Sequence, residues 1–528
     1  MNIKTAPLIE ESQEESNQKQ NVINFTNASY KIKKIDPLNK SLTDTIINLV
    51  STYKLTPEEI SGYLVEKKEI NETEAEIDNL IQTLIQNQKI NIIDHNNEKI
   101  IQPIFISSQD EEKWSTISRE ESCGWINQNT TLNDFFLKCR KNLNNIIKKI
   151  EVKNQNCYYL ALETSRDPMQ YKYNSKKFLM LSSNDYLGFS KHPEIIDYCK
   201  KMIDLYGVGA CGSRVSIGNT TLHETLEYKI AKFKRDESSM VYSSGYLTNL
   251  AFLENINKGT VVFYDSYCHA CIIDGLLHSD ATPVRFKHNN LKNLEQKLNL
   301  YKHIKNKLIY VESVYSLEGD LAPLPDIIKL AKQFNAYIAI DEAHSTGAFG
   351  LNGKGIIEHY KINPDDIKFK IGTLSKAIGV EGGFICSKKR IIESFKYSTS
   401  PFLFTTGHSI PAIASAIKAF ELLEEHADLA YQLQQKAAGI RNTLNRLGFN
   451  TGSSQSQIIP IMISDDNKVF EIQKKLHDNG YFIISAVYPT VPPKKSRLRL
   501  NISLSHTDGE LNKFIEILEF YGKKIGII

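Results

Sequence analysis

The chain has 528 residues, 41% hydrophobic and 24% charged, with a formal net charge of +3. That length suits two or three globular domains, and so small a charge gives no electrostatic case for a nucleic-acid partner. No uninterrupted apolar run approaches the roughly 18 residues of a membrane span, no charged-then-apolar leader opens the chain, and eight cysteines are scattered along it; the expectation is a cytoplasmic protein with reduced thiols and no membrane insertion.

Residues 1–40 are rich in Glu, Gln, Asn and Ser, the composition of a disordered tail. Residues 41–106 read as a small helical module. Ser41 to Tyr53 has helical apolar spacing, Thr56, Pro57 and Glu59 form a capping-box start for a second helix, and Ile77, Leu80, Ile81, Leu84 and Ile85 make one stripe of a third. Lys89 to Ile104 is predicted as a hairpin turning at Asn96 and Asn97. Helices followed by a hairpin resemble a winged-helix module, but a DNA reader needs a basic third helix and this one opens with Glu72, Glu74, Glu76 and Asp78. The charges favour a protein-contact module or a structural appendage. A carrier-protein domain is the other reading, although no clear Asp-Ser-Leu-type attachment site is present. Residues 107–131 are a polar linker. Leu132 to Ile150 is a basic amphipathic helix, suited to packing or, alternatively, to touching a membrane surface.

From about Cys157 onward the chain alternates strand and helix. Apolar β-branched runs at Val261–Tyr264, Leu308–Glu312, Ala336–Asp341 and Ile367–Ile371 predict an α/β fold with a mainly parallel sheet sandwiched by helices, over residues 132–410. Residues 411–528 predict a small C-terminal α+β domain, with Ile458–Ile463, Tyr481–Tyr488 and Leu498–Ser505 as strands and Lys468–Asn479 and Asp508–Tyr521 as helices.

In such folds ligands sit beyond the carboxyl ends of the strands, and the unusual residues fall there. SSGYLTN (Ser243–Asn249) reads as a loop entering a helix, where exposed N–H groups favour a phosphate, though serine and glycine also serve as plain caps. In DSYCHAC (Asp265–Cys271), Cys268 and Cys271 lack a second pair at zinc spacing, so no metal is expected; His269 between them has an imidazole able to stack on a flat ring. Asp341 closes a strand, where it is either a helix N-cap or the partner of a buried cation such as a pyridinium nitrogen. Lys376, in IGTLSKAIGVEGG, stands among glycines and hydroxyls that allow close approach of a flat, phosphorylated cofactor. It reads as a Schiff-base lysine, with phosphate binding or plain surface exposure as the alternatives.

These motifs, in order, resemble the α-oxoamine synthase family of pyridoxal-phosphate (PLP) enzymes, from about Leu132 to the C-terminus. The matching text is SSNDYLGFS from Ser182, GVGACGSRVSIGNTTLHETLE from Gly207, SSGYLTN, DSYCHA, ESVYSLEGDLAPL from Glu312, DEAHSTGAFG from Asp341, GTLSKAIGVEGGF from Gly372 and SRLRLNISLSHT from Ser496. The resemblance implies a PLP-dependent transferase of fold type I, a homodimer, and the decarboxylating condensation of a small amino acid with an acyl-CoA or acyl-carrier-protein thioester. It also implies site roles. Lys376 would hold the cofactor and act as acid and base, Asp341 would pair with the ring nitrogen, His344 would reach the phenolic oxygen, and His269 would stack on the ring. Ser244, Gly245, Tyr246 and Thr373 would surround the phosphate, with Ser316 near the ring and Thr406 lent across the dimer. Asn184 and Ser213 match acyl-substrate positions, and Arg499 matches the arginine that holds the amino-acid carboxylate. The chain departs from the family at Cys268 and Cys271, where asparagine and serine are usual, and at GHSIP after Thr406. Another reaction of the same fold, transamination or an aldolase-like cleavage, is the alternative; a non-catalytic partner subunit would be expected to lack Lys376.

Overall fold

The computed structural model describes residues 160–488 and 490–528, together with the backbone of 90–95 and 98–103. The chain divides into two units, residues 1–141 and 142–528. In the first, β1 (Ile90–His95) pairs antiparallel with β2 (Glu98–Pro103), from Ile90↔Pro103 to His95↔Glu98, as the hairpin reading of the sequence expects. The tail, the three helices of the module, the linker and the helix over 132–150 lie outside the described residues.

The second unit opens on three antiparallel strands, β3 (Glu163–Thr164), β4 (Gln170–Tyr173) and β5 (Lys176–Met180). A seven-stranded sheet follows, made of β6 (Ser238–Tyr242), β7 (Thr260–Asp265), β8 (Thr282–Phe286), β9 (Asn306–Glu312), β10 (Tyr337–Asp341), β11 (Phe369–Thr373) and β12 (Gly383–Ser387). Its order is β6-β12-β11-β10-β9-β7-β8, and β12 alone runs antiparallel to its neighbours. Period-two alternation along the strands divides the core in two. Val261, Phe263, Ile309, Val311, Ile338 and Ile340 pack on one face against helices Thr221–Phe233, Leu324–Gln333 and Ile410–Glu425. Val262, Tyr264, Leu308, Tyr310 and Ala339 pack on the other, against Gly245–Glu254, Ala270–His278 and Lys389–Ser398. Each fully buried Val, Leu, Ile or Phe among them contributes about 1.5–3 kcal/mol, so the strand–helix layers rather than any single contact hold the site's framework.

Near the C-terminus β13 (Ile458–Met462), β14 (Tyr481–Phe482), β15 (Ile484–Ala486) and β16 (Arg497–Asn501) follow. The single strand expected over Tyr481–Tyr488 is divided at Ile483. The Ile483 carbonyl accepts from Gln473 Nε2 (2.8 Å) and bonds His477 Nε2 (3.0 Å), so the helix Asp466–Asp478 takes the group a ladder would need. As a result β14 pairs in parallel with β5, while β15 and β13 flank β16. Strand β11 starts at Phe369 instead of Ile367, because Ile367 ends the turn Pro364–Asp366.

Candidate active site

The carboxyl ends of β9, β10 and β11 and the start of β12 meet at one place, with β16 approaching from the C-terminal segment. Lys376 sits in the loop from β11 to β12. That loop is closed by Leu374 N–H to the Gly382 carbonyl (2.9 Å), Val380 N–H to the Leu374 carbonyl (3.0 Å) and Thr373 Oγ1 to the Gly382 carbonyl (2.9 Å). Gly379, at φ 83°, lies against the Phe189–Ser190 backbone, where a Cβ would come within 2.7 Å of Ser190 N. Only glycine fits that approach, and it lets the loop that carries Lys376 pack against this backbone.

A hydrogen-bonded line runs from this lysine to β16. Lys376 Nζ lies 2.8 Å from His344 Nε2, His344 Nδ1 lies 2.7 Å from the Tyr186 hydroxyl, and Tyr186 donates to Asn184 Oδ1 at 3.1 Å. Asn184 Oδ1 also accepts from Arg499 Nη1 (3.3 Å) and Nη2 (3.4 Å) and from Asn501 Nδ2 (3.1 Å). Arg499 Nε in turn donates to the Ser316 carbonyl (2.7 Å). Loss of water pushes the Lys376 amine down to about 8, against the pull of Asp341 and Glu312 the other way. Burial, and then the Lys376 charge, hold His344 well below the usual histidine range, so its ring is neutral.

Asp341 and Glu312 end neighbouring strands in register. Asn249 Nδ2 donates to Asp341 Oδ2 (2.9 Å), Ala343 N–H donates to Oδ1 (2.8 Å), and the Tyr310 hydroxyl donates to Asn249 Oδ1. Burial, and then the Asp341 carboxylate, push Glu312 well up, and its Oε1 accepts the His269 N–H. The His269 ring is fixed by Cys271, whose N–H donates to Nδ1 (3.2 Å) and whose Sγ lies 3.0 Å from the same atom. Burial lowers the His269 pKa, so the neutral ring accepts at Nδ1 and carries its proton on Nε2. Cys268 and Cys271 are both buried and free, and burial pushes both thiols up.

Ser244 caps the helix Gly245–Glu254, its hydroxyl accepting from Leu247 N–H at 3.2 Å. A helix start leaves its first N–H groups without helical partners, here those of Gly245 and Tyr246. Beside them Thr373 Oγ1 lies 2.8 Å from Ser375 Oγ. Ser213 and Thr406 are brought together elsewhere, in an isolated antiparallel bridge next to Gly407 N–H to the Gly212 carbonyl (2.9 Å). Of the sequence-predicted residues, Lys376, His344, Asn184, Arg499 and Ser316 thus share one network, and Asp341 and His269 are linked through Glu312. Tyr186, Asn249, Glu312 and Asn501 were not singled out from the sequence, although all four stand inside quoted motifs; the register of β9 with β10 is what marks Glu312.

The chain matches the aminotransferase class I and II family over residues 176–518 and belongs to it. It is 38% identical over 360 residues to the 8-amino-7-oxononanoate synthase of Thermoanaerobacter pseudethanolicus, covering 67% of this chain and 90% of that one. The 8-amino-7-oxononanoate synthase 1 of Bacillus subtilis is 35% identical over 356 residues, 67% of this chain and 91% of that one. Among solved structures, a serine palmitoyltransferase from S. paucimobilis, with a bound PLP–myriocin aldimine, superposes with a TM-score of 0.72 at 28% identity, covering 76% of this chain and all of that one. Within the family the chain is an α-oxoamine synthase of fold type I, a PLP-dependent acyltransferase that condenses a small amino acid with an acyl thioester and releases CO2.

The residues present fit that cofactor. A Cβ on Gly383 would lie 2.6 Å from both N and Cα of Gly245, so this pair of glycines keeps β12 against the helix start, whose first amides lack helical partners and suit a phosphate. Among the described residues no cluster of three His, Cys, Asp or Glu side chains is arranged to hold a metal ion, and no helix is long and apolar enough to cross a membrane.

Proposed function

We propose that the condensation runs on the line from Lys376 to Arg499, and that this line selects an α-amino acid by its amine and its carboxylate. The observation that carries the reading is the junction of Lys376, His344, Tyr186, Asn184 and Arg499 through successive hydrogen bonds. Bound PLP supplies an electron-accepting ring that stabilises negative charge at the amino-acid α-carbon. Lys376 Nζ holds the cofactor and, when freed, takes the α-proton and later returns one; an amine depressed to about 8 is partly unprotonated near neutrality, as a base must be. Asp341, held by Asn249, would keep a proton on the ring nitrogen of bound PLP. With PLP bound, the neutral His269 ring would stack on it and His344 would bond its phenolic oxygen. Ser244, Gly245, Tyr246 and Thr373 bind the phosphate, with Ser316 beside the ring. Arg499 binds the carboxylate with its two Nη groups, a fork that lysine lacks. Asn184 and Ser213 face the acyl group.

The relatives' product name is informative about substrates. A nonanoate with an amine on carbon 8 and a ketone on carbon 7 disconnects into the two carbons that alanine keeps after decarboxylation and a seven-carbon acyl unit ending in a carboxylate. We take alanine and such a thioester as the first substrates to try. The thioester is carried on CoA or a carrier protein, and the enzyme is a cytoplasmic homodimer in which Thr406 serves the partner's phosphate site. In domain terms, residues 41–106 are an appendage to a cofactor domain over 132–410 and a small domain over 411–528.

The test is an absorbance titration of the PLP-loaded protein with L-alanine, glycine and L-serine, followed by short and long acyl-CoAs. One amino acid is expected to perturb the cofactor band and, together with one thioester, to be turned over with release of CO2, and Lys376→Ala abolishes that turnover. A band that responds to amino acids yet ignores every thioester moves the assignment to transamination or cleavage.

A further inference from the structure

The turn after β8 holds a cluster that the functional reading leaves unused. His288 Nδ1 lies 3.0 Å from Asp265 Oδ1 and its Nε2 lies 2.9 Å from Asp320 Oδ2. Asp265 is fully buried, and the Asp320 side chain is 9% exposed. A neutral imidazole has one donor and one acceptor, whereas two carboxylates both need a donor, so the ring between them carries both protons and a positive charge. The Tyr267 ring stacks on it (4.3 Å between centroids, 18° between planes), and Tyr315 meets it edge-on (4.5 Å, 87°).

What the cluster joins gives it a role. Asp265 ends β7 and starts the loop to His269; its Oδ1 accepts Tyr267 N–H (2.8 Å) and its carbonyl accepts Cys268 N–H (3.1 Å). Asp320 closes the tight loop 315–320, in which Tyr315 N–H bonds the Asp320 carbonyl (3.1 Å) and Gly319 N–H the Tyr315 carbonyl (2.8 Å). That loop presents the Ser316 carbonyl to Arg499 and Glu318 to Arg497 (2.8 Å). Asn289 N–H to Asp265 Oδ2 (2.8 Å) and Ser453 Oγ to Asp320 Oδ2 (3.0 Å) complete the brace.

We propose that His288 is a positioning residue of the active site. As a doubly paired imidazolium it fixes the loop that carries His269 relative to the loop that anchors Arg499, and so couples cofactor stacking to carboxylate binding. The inference rests on the roles given above to His269 and Arg499. Burial pulls the imidazole pKa down, but the hydrogen bonds and charges of Asp265 and Asp320 outweigh it and raise the group to about 10, so the brace is charged at any working pH. The other titratable groups around it are Tyr267 and Tyr315, both pushed up by burial and therefore neutral, with the Glu318–Arg497 pair beyond Tyr267.

The experiment compares the PLP-loaded wild type with His288→Asn and with the double variant H288N/D320N. The double variant removes one positive and one negative charge together and keeps a folded form available if the single one does not fold. Three quantities are read: melting temperature, the PLP dissociation constant, and kcat and KM separately for the amino acid that perturbs the wild-type spectrum. A positioning role predicts at least a tenfold rise in the PLP dissociation constant and in the amino-acid KM of the folded variants, with H288N/D320N no worse than H288N, since both side chains act through one brace. A folded variant with wild-type PLP affinity and wild-type KM, whatever its melting temperature, overturns the proposal and leaves the cluster purely structural. Should no amino acid perturb the wild-type protein, the functional reading above fails, and the PLP titration still decides whether His288 positions the His269 loop.

Discussion

Lys376 is pulled two ways: removal from water lowers its affinity for a proton, and Asp341 and Glu312 raise it, leaving the amine at about 8. The free amine is the form that can bond an aldehyde, so the rate at which apoprotein takes up PLP should rise with pH through about 8 and level off above it. Stopped-flow absorbance from pH 6.5 to 9.5 measures this. Asp341→Asn removes a charge that favours the ammonium, so the midpoint should move to lower pH; an unmoved midpoint would mean that the carboxylate does not act on the lysine. Arg499→Lys tests the other end of the line. It keeps the charge but loses the Nε contact to Ser316 and the paired Nη groups facing Asn184. Charge-assisted hydrogen bonds are worth about 1.5–3 kcal/mol, so the amino-acid KM should rise on the order of 10- to 100-fold, with a smaller change in kcat.

Between elements, β12 and the helix Gly245–Glu254 meet closely. A methyl group at Gly383 would meet the backbone of Gly245 at 2.6 Å and the Thr248 hydroxyl at 2.4 Å, and backbone cannot turn aside as a side chain can. Gly383→Ala should therefore push the helix start away from Thr373, weakening PLP retention by tenfold or more at a stability cost of about 1–3 kcal/mol; equilibrium dialysis and thermal melts separate the two effects. At this scale most of the architecture was legible. The β-branched runs of β7, β9 and β10 are long, apolar and bounded, and period-two burial on both faces follows from them. What was not legible depends on partners distant in sequence. The break at Ile483 comes from Gln473 and His477 on a neighbouring helix, and β5 finds its neighbour β14 three hundred residues on. The same holds for the site. Lys376, Asp341 and His344 stand in motifs whose residue types are hard to explain otherwise, whereas Tyr186, Asn249 and His288 are ordinary in sequence and acquire meaning only through what they touch.

For the whole molecule, the bridge between Ser213 and Thr406 marks the surface on which the proposed homodimer would form. The two segments it joins are also tied by Gly407 N–H to the Gly212 carbonyl and by Ile410 N–H to the Val208 carbonyl (3.2 Å), so they present one surface. On it Val208, Val215, Ile217 and Phe404 are 66%, 57%, 75% and 83% exposed. Four large apolar side chains so open on adjoining loops are costly in water, and covering them by a second copy offers about 25 cal/mol for each Å2 of apolar area removed. Two consequences distinguish this from a merely greasy surface. Ile217→Asp together with Phe404→Asp should convert the dimer to monomer, read by light scattering across a concentration series. Because Thr406 would then reach no partner, the monomer should also hold PLP more weakly, while Thr406→Val should weaken PLP binding and leave the dimer intact. A monomeric variant with wild-type PLP affinity would separate assembly from the cofactor site and take Thr406 out of it, whereas loss of affinity in both variants would make each site the joint product of two chains.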